Sequence, residues 1–362
     1  MKPRIIILSA FLTPFRSGAE ACAEEVPQLL KDQFDFTIVT ARLGRAPHPS
    51  SLPNGEGIDV IRIGIGHPID KWLFPFLAPF AVRSLCHPEH SRRVIIHAVL
   101  ESFAGLAMVF CKLLCPRTKT ILTCQSTNTS LLLGLMHRSA DRVTAISSVL
   151  VERAKRFGRD DVVRIPNGIH VAAFEEARKR YQKVPGRILF VGRLEKMKGV
   201  DTLLTAFEEA IGDKRLANSN IQLHIVGDGS QSSSLTADRS SLNRVTFLGR
   251  LDGEALFREY AEAEIFCALP RSEALGNVFL EAQAAGCAVI ATNVGGIPDI
   301  VEDGVTGILI PVDDASAAAD AMQKLLSDAT LRTLLVQAGI DNAKQYDWQG
   351  IAKKYAELYR QK

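Results

Sequence analysis

The sequence predicts an α/β protein made of two doubly wound, Rossmann-like domains. Three observations predict it. Short apolar, β-rich runs alternate with helical patterns along the whole chain, the signature of parallel sheets covered by helices on both faces. The length, 362 residues, exceeds a typical single domain. Near the middle, Ile165-Pro166-Asn167-Gly168-Ile169 interrupts regular structure, with enough strand candidates on either side for a sheet in each half.

Taken in order, the first-half strands are Ile5–Ser9, Phe36–Thr40, Ile58–Ile63, Val94–Ala98, Lys119–Cys124 and Arg142–Ile146. The first run follows Met1-Lys2-Pro3-Arg4 and is short, without a clear cleavage site, so it reads as a buried strand rather than a leader peptide. A loop containing Ser17 and Gly18 leads into a helical run from Glu20 to Lys31. Trp72 to Val82 is aromatic and apolar with two prolines, Pro75 and Pro79. It reads either as a buried connection or as an exposed apolar patch with Trp72 and Phe74 as its aromatic anchors. The second-half strands are Arg187–Gly192, Gln222–Gly227, Val245–Leu248, Ile265–Leu269, Ala288–Ala291 and Gly307–Pro311. The stretch from Asp347 to Lys362 reads as an amphipathic helix with Ile351, Tyr355, Leu358 and Tyr359 along one side. The expected division is residues 1–166, 167–345 and a terminal helix, 346–362.

Composition narrows the function. Hydrophobic residues make up 47% and charged residues 23%, ordinary for a globular protein. No run approaches the roughly 20 apolar residues of a membrane-spanning helix. The seven cysteines lack paired motifs and read as reduced cytosolic thiols, and the eight histidines lack metal-ligand spacing. Residues 1–170 hold 21 Lys and Arg against 14 Asp and Glu, whereas the remainder is net acidic. This modest basic excess suits an acidic substrate or anionic lipid, and no nucleic-acid partner is expected.

Two segments carry chemistry. In the first, Glu273 and Glu281 flank Leu275-Gly276-Asn277-Val278, between an apolar run closed by Pro270 and a small-residue helical run ending at Gly286. The order strand, loop, helix places Gly276 and Asn277 at a helix N-terminus, which attracts phosphate. A carboxylate on either side can accept hydrogen bonds from hydroxyls. That arrangement suits a ligand with sugar on both sides of a pyrophosphate, a nucleotide sugar. Two other readings remain open: carboxylates that complement a helix dipole, and the acid pair of a glycosidase. In the second segment, Arg193 emerges at the tip of the strand ending at Gly192, and Lys198 precedes the helix from Val200. Two such cations can stabilise a leaving diphosphate without a metal, although a solvated surface loop has the same composition. Gly18 lies at a strand-to-helix turn where backbone can approach a phosphate or sugar. Gly227-Asp228-Gly229-Ser230-Gln231-Ser232 approaches a dinucleotide fingerprint but has Ser232 in place of its third glycine.

In shared order, these segments resemble the retaining glycosyltransferases of the GT-B fold, known as family 4 or group 1. The likeness is strongest from Asn167 to Pro311 and includes Val294-Gly295-Gly296-Ile297-Pro298-Asp299. It implies two domains facing across a cleft, an N-terminal acceptor domain and a C-terminal nucleotide-sugar domain, with the last helix crossing back to the first. It implies that Arg193 and Lys198 contact the donor diphosphate, that Glu273 meets hydroxyls of the transferred sugar, and that the backbone of Leu275, Gly276, Asn277 and Val278 holds phosphate and sugar oxygens. Glu281 would accept from the ribose, and Gly18 would lie in a loop closing on the donor. No metal or cofactor is implied beyond a UDP-, GDP- or ADP-sugar as donor. Relatives often carry a histidine after the strand that here ends Thr123-Cys124-Gln125; Gln125 cannot act as a base but can hydrogen-bond the sugar. His97 reads as a core histidine, with a place near Gln125 as the alternative. Expected acceptors are a glycan, a lipid-linked glycan or another hydroxyl compound, handled in the cytoplasm or at the inner face of an anionic membrane. A nucleotide-sugar 2-epimerase and a non-catalytic nucleotide-sugar binder share the architecture and remain alternatives.

Overall fold

The structure, a computed structural model, describes residues 2–12, 18–44, 58–86, 94–212, 220–238 and 244–361. Ser17 and most of the loop before it lie outside the described residues. The chain divides into two compact units, Met1–Gly168 with Trp348–Lys362, and Ile169–Asp347.

The first unit runs β1 (Arg4–Leu8), α1 (Gly18–Leu30), β2 (Asp35–Ala41), β3 (Asp59–Ile63), α2 (Asp70–Leu85), β4 (Val94–Val99), α3 (Phe103–Leu114), β5 (Lys119–Cys124), α4 (Leu133–Ser139), β6 (Arg142–Ala145), α5 (Ser148–Arg156) and β7 (Val163–Arg164). Its strands form one parallel sheet in the order β3-β2-β1-β4-β5-β6-β7. Central strands are buried along nearly their whole length, which is why they read as continuous apolar runs. The edge strand β7 has two exposed residues and therefore no apolar signal.

The segment from Trp72 to Val82 is neither a plain connection nor a uniform patch. It lies within the helix α2, which contains Pro75 and Pro79. Each proline removes a main-chain donor from the helix, which is why the segment did not read as helical. Both rings are buried beside Phe74, Ala78 and Val82, so burial offsets the lost hydrogen bonds. Phe74 is wholly buried and is no surface anchor; Trp72, Phe76 and Phe80 are the exposed aromatics.

The second unit runs α6 (Val171–Arg180), β8 (Val184–Val191), α7 (Val200–Gly212), β9 (Gln222–Val226), α8 (Ser232–Asp238), β10 (Val245–Gly249), α9 (Gly253–Glu262), β11 (Ala263–Ala268), α10 (Asn277–Ala284), β12 (Ala288–Thr292), β13 (Ile308–Ile310), α11 (Ala315–Ser327) and α12 (Ala329–Ala343). Its parallel sheet has the order β10-β9-β8-β11-β12-β13. After β8 the chain winds toward one edge, and after β11 toward the other. The carboxyl ends of these neighbouring strands are therefore the topological switch point, where open α/β sheets leave a crevice for ligands.

The last helix, α13 (Trp348–Arg360), belongs to the first unit. Its apolar face, with Trp348, Ile351, Tyr355 and Tyr359, joins a core that includes Ile5, Phe36 and Val99. His97 on β4 is a core histidine: Nδ1 meets the Tyr359 hydroxyl and Nε2 the Thr123 hydroxyl, each at 2.7 Å. Burial lowers its pKa to about 3, so it stays neutral.

Candidate functional site

The switch point of the second unit is built from the loops that follow β8 and β11. After β8 come Arg193 and a 3₁₀ turn, Lys196–Lys198. After β11 come Arg271 to Leu275, then Gly276 in the left-handed region (φ 95°) as N-cap of α10, with Asn277 its first residue. The free N–H groups of that helix start carry partial positive charge. Leu275 and Gly276 are buried, whereas Asn277 and Val278 are partly accessible.

The loops are locked together by close backbone approaches. A Cβ on Gly199 would sit 1.9 Å from the Leu269 carbonyl oxygen, and one on Gly295 would sit 1.9 Å from that of Glu273. Gly296 N donates to the Glu273 carbonyl at 3.1 Å. Only glycine permits such contact, so the loops of Lys198, Glu273 and Gly295 form one assembly.

Within that assembly Lys198 Nζ meets Glu273 Oε2 at 2.6 Å, both side chains being largely buried. A cation and a carboxylate from segments 75 positions apart thus meet beside the start of α10. Glu281, on the next turns of α10, accepts from the Tyr260 hydroxyl at 2.8 Å. Arg193 pairs instead with Glu195 at 2.6 Å and is mostly exposed.

Arg271, which the sequence did not single out, clamps the assembly. Its guanidinium donates to both oxygens of Asp201 at 2.9 and 3.0 Å, to Asp313 at 2.7 Å and to the Lys196 carbonyl. Its backbone N–H reaches the Met197 carbonyl at 2.8 Å. Burial alone would raise the Asp201 pKa, but the hydrogen bonds and charge of Arg271 outweigh it and hold the carboxyl below its ordinary range. Tyr260 was also missed, because nothing in its neighbourhood reports a contact 21 positions away.

The Gly227–Ser232 segment has a packing role: a Cβ on Gly227 would fall 1.8 Å from the Gly192 carbonyl oxygen. Gly192 N–H bonds Val226 O, and Leu194 N–H bonds Asp228 O, so this loop supports the one carrying Arg193.

In the first unit, Gly18 opens α1. Gln125 follows β5, and its carboxamide exchanges two hydrogen bonds with that of Asn167, at 3.1 and 2.8 Å. Its backbone N–H donates to the buried Glu101 carboxylate at 3.2 Å. Glu101 also bonds Arg153 and lies near Cys124 and His137. Glu101, Cys124 and His137 bring one ligand atom each within 4.8 Å of one another, and Arg153 pairs with the Glu101 carboxylate there. Burial and the Glu101 charge raise the Cys124 thiol pKa well above its ordinary value.

Both halves of the chain resemble known proteins. A family model described as "Glycosyl transferases group 1" matches residues 185–328, and one described as "Glycosyltransferase Family 4" matches residues 16–173. Phosphatidyl-myo-inositol mannosyltransferase of Mycobacterium leprae is 32% identical over 204 residues, 55% of this chain and 53% of that protein. D-inositol 3-phosphate glycosyltransferase of Corynebacterium aurimucosum is 34% identical over 179 residues, 48% and 42% of the two chains. The chain thus spans about half the length of these relatives. Among solved structures, sucrose-phosphate synthase from Thermosynechococcus elongatus superposes with a TM-score of 0.82 at 22% identity, covering 99% of this chain and 98% of that one. HepE of Anabaena, solved with UDP and glucose, gives 0.74 at 18% identity with 98% of each chain covered. Both share the fold, a GT-B pair of Rossmann-like domains. With one group 1 model on the second unit and a family 4 model on the first, the chain belongs to the family 4, or group 1, glycosyltransferases.

Proposed function

We propose that this protein transfers a sugar from a nucleoside-diphosphate sugar to a hydroxyl acceptor, with retention of anomeric configuration and without a divalent metal. The observation that carries the reading is the Lys198–Glu273 contact beside the Gly276 cap of α10, at the switch point of the second sheet. In this reading the diphosphate lies across the helix start. Lys198 and Arg193 supply the charge that grows on the leaving group. Glu273, drawn off Lys198 by the incoming phosphate, accepts from the transferred sugar, and Glu281 accepts from the ribose. UDP, GDP and ADP remain the candidate carriers. The first unit would hold the acceptor, with Gln125 keeping one amide hydrogen and further lone-pair capacity beyond its bonds to Asn167.

A lipid-borne acceptor at an anionic membrane fits the first unit. Trp72, Leu73, Phe76, Leu77 and Phe80 are exposed at helical spacing on α2, with Ile69 exposed just before it. The only carboxylate on α2 or α3, Asp70, is buried and accepts from the backbone of Gly66 and His67. The face is therefore apolar with only cations, Lys71 and Arg83, on the same helix. No helix among the described residues is long and apolar enough to cross a membrane.

The test is titration with UDP-, GDP- and ADP-sugars, followed by incubation of the tightest donor with detergent-dispersed lipid acceptors and NMR of the product anomer. Absence of binding and turnover with all three overturns the reading; release of a 2-epimer makes the protein an isomerase. Sedimentation with phosphatidylglycerol vesicles should fall with salt, and with Trp72→Ala/Phe76→Ala. If neither matters, the acceptor is soluble.

A further inference from the structure

Tyr260 lies in the last turn of α9 with its ring fully buried, stacked on Phe266 (centroids 5.7 Å, interplanar angle 25°) and edge-on to Phe174 at 5.5 Å. Its carbonyl accepts from Cys287 Sγ at 3.1 Å, so backbone and ring are both held. The one polar atom of that side chain, the phenol oxygen, donates to Glu281 Oε2 at 2.8 Å. Burial and the neighbouring Glu281 charge push the phenol pKa well above its ordinary value, so the group remains a donor. A phenol buried in an aromatic cage and aimed at one oxygen of a partly accessible carboxylate has one evident effect. It fixes the rotation of a long side chain before any ligand arrives, while a carboxylate still has capacity for further hydrogen bonds.

We propose that Tyr260 is a positioning residue that orients Glu281 for paired ribose hydroxyls and so sets the selectivity of the site for ribonucleotides over deoxyribonucleotides. The inference rests on Glu281 being the ribose acceptor of the proposed function. An oriented carboxylate rewards a ligand that brings hydroxyls to it in the right place. A carboxylate free to rotate can turn to water and discriminates less.

Titration calorimetry with UDP, GDP and ADP, and with the 2′- and 3′-deoxy counterpart of whichever binds most tightly, tests this. The native protein should prefer the ribonucleotide by about tenfold or more, the size expected for a hydrogen bond to a charged group. Tyr260→Phe keeps the ring and its cage but should cut that preference to about threefold or less, with deoxynucleotide affinity changed by no more than about twofold. Tyr260→Met, which also removes the phenol while leaving Glu281 unchanged, should lower the ratio in the same way and serves if the phenylalanine variant folds poorly. If Glu281→Gln abolishes the preference and Tyr260→Phe leaves it intact, Tyr260 has no positioning role and the inference fails alone. If Glu281→Gln also leaves it intact, or no nucleotide binds, the ribose reading fails and the inference with it.

Discussion

Arg271→Ala should loosen the loops that carry Lys198 and Glu273 without touching either side chain. The guanidinium joins Asp201, Asp313 and the Lys196 carbonyl, three points on separate segments. Hydrogen bonds to charged groups contribute about 1.5–3 kcal/mol when sheltered. Asp201 and Asp313, however, have side chains 43% and 54% exposed, and exposed ion pairs contribute only about 0–1 kcal/mol. With the guanidinium itself 24% exposed, the fork on Asp201 and the bond to Lys196 dominate, and a net loss of about 2 kcal/mol is reasonable. For a unit of this size that lowers the melting temperature of the second unit by about 4–8 °C. If donor binding must restore the order that Arg271 supplies beforehand, part of the same energy appears as weaker affinity, up to about thirtyfold. Arg271→Lys keeps charge but not the planar fork and should fall between the two. Calorimetric melting and nucleotide titration of the three proteins measure both effects. Nucleotide affinity within about twofold of native in Arg271→Ala, together with the lower melting point, would refute the coupling of clamp to site and leave Arg271 a stabilising residue only.

Three further outcomes are expected. Glu281→Gln should weaken donor binding by roughly 1.5–3 kcal/mol if, as proposed, it removes a charge-assisted acceptor for ribose; unchanged affinity in a titration would refute that role. Arg193→Ala and Lys198→Ala should lower kcat by more than they raise the donor Kd, and turnover should persist in excess EDTA, if these cations stabilise the leaving diphosphate as proposed; loss of turnover restored by magnesium or manganese would refute it. His97 takes a proton only near pH 3 when folded, whereas the unfolded side chain does so near 6.5, so the unfolded state binds more protons in that window. Stability should therefore fall as pH drops through 6.5, by about 2 kcal/mol between pH 7 and 5, and His97→Gln should flatten this slope in urea titrations; an unchanged slope would show that His97 is not its source.

Much of the fold was legible because local pattern reports burial directly. Each strand expected from an apolar run is present within a few residues, since a central parallel strand is apolar on both faces and needs no partner to be read. The cap at Gly276 was legible too: a glycine between an apolar run and a small-residue helical run marks a turn that needs a left-handed residue. The amphipathic period of α13 was plain, as was its apolar side. By contrast, α2 was obscured by its prolines, whose cost is local while the burial that offsets it comes from the rest of the unit. Which of Phe74 and Phe76 faces solvent followed only from that packing. The partners of the candidate site were hidden for the same reason. Lys198 with Glu273, Arg271 with Asp201 and Asp313, Tyr260 with Glu281 and Gln125 with Asn167 are pairs 21 to 75 positions apart, joined by sheet order and loop closure. Sequence by itself determined the elements and where a phosphate-friendly helix start would lie, because periodicity and turn chemistry are local. Only the tertiary structure decided which side chains hold one another there, because long-range contacts depend on how every intervening element packs.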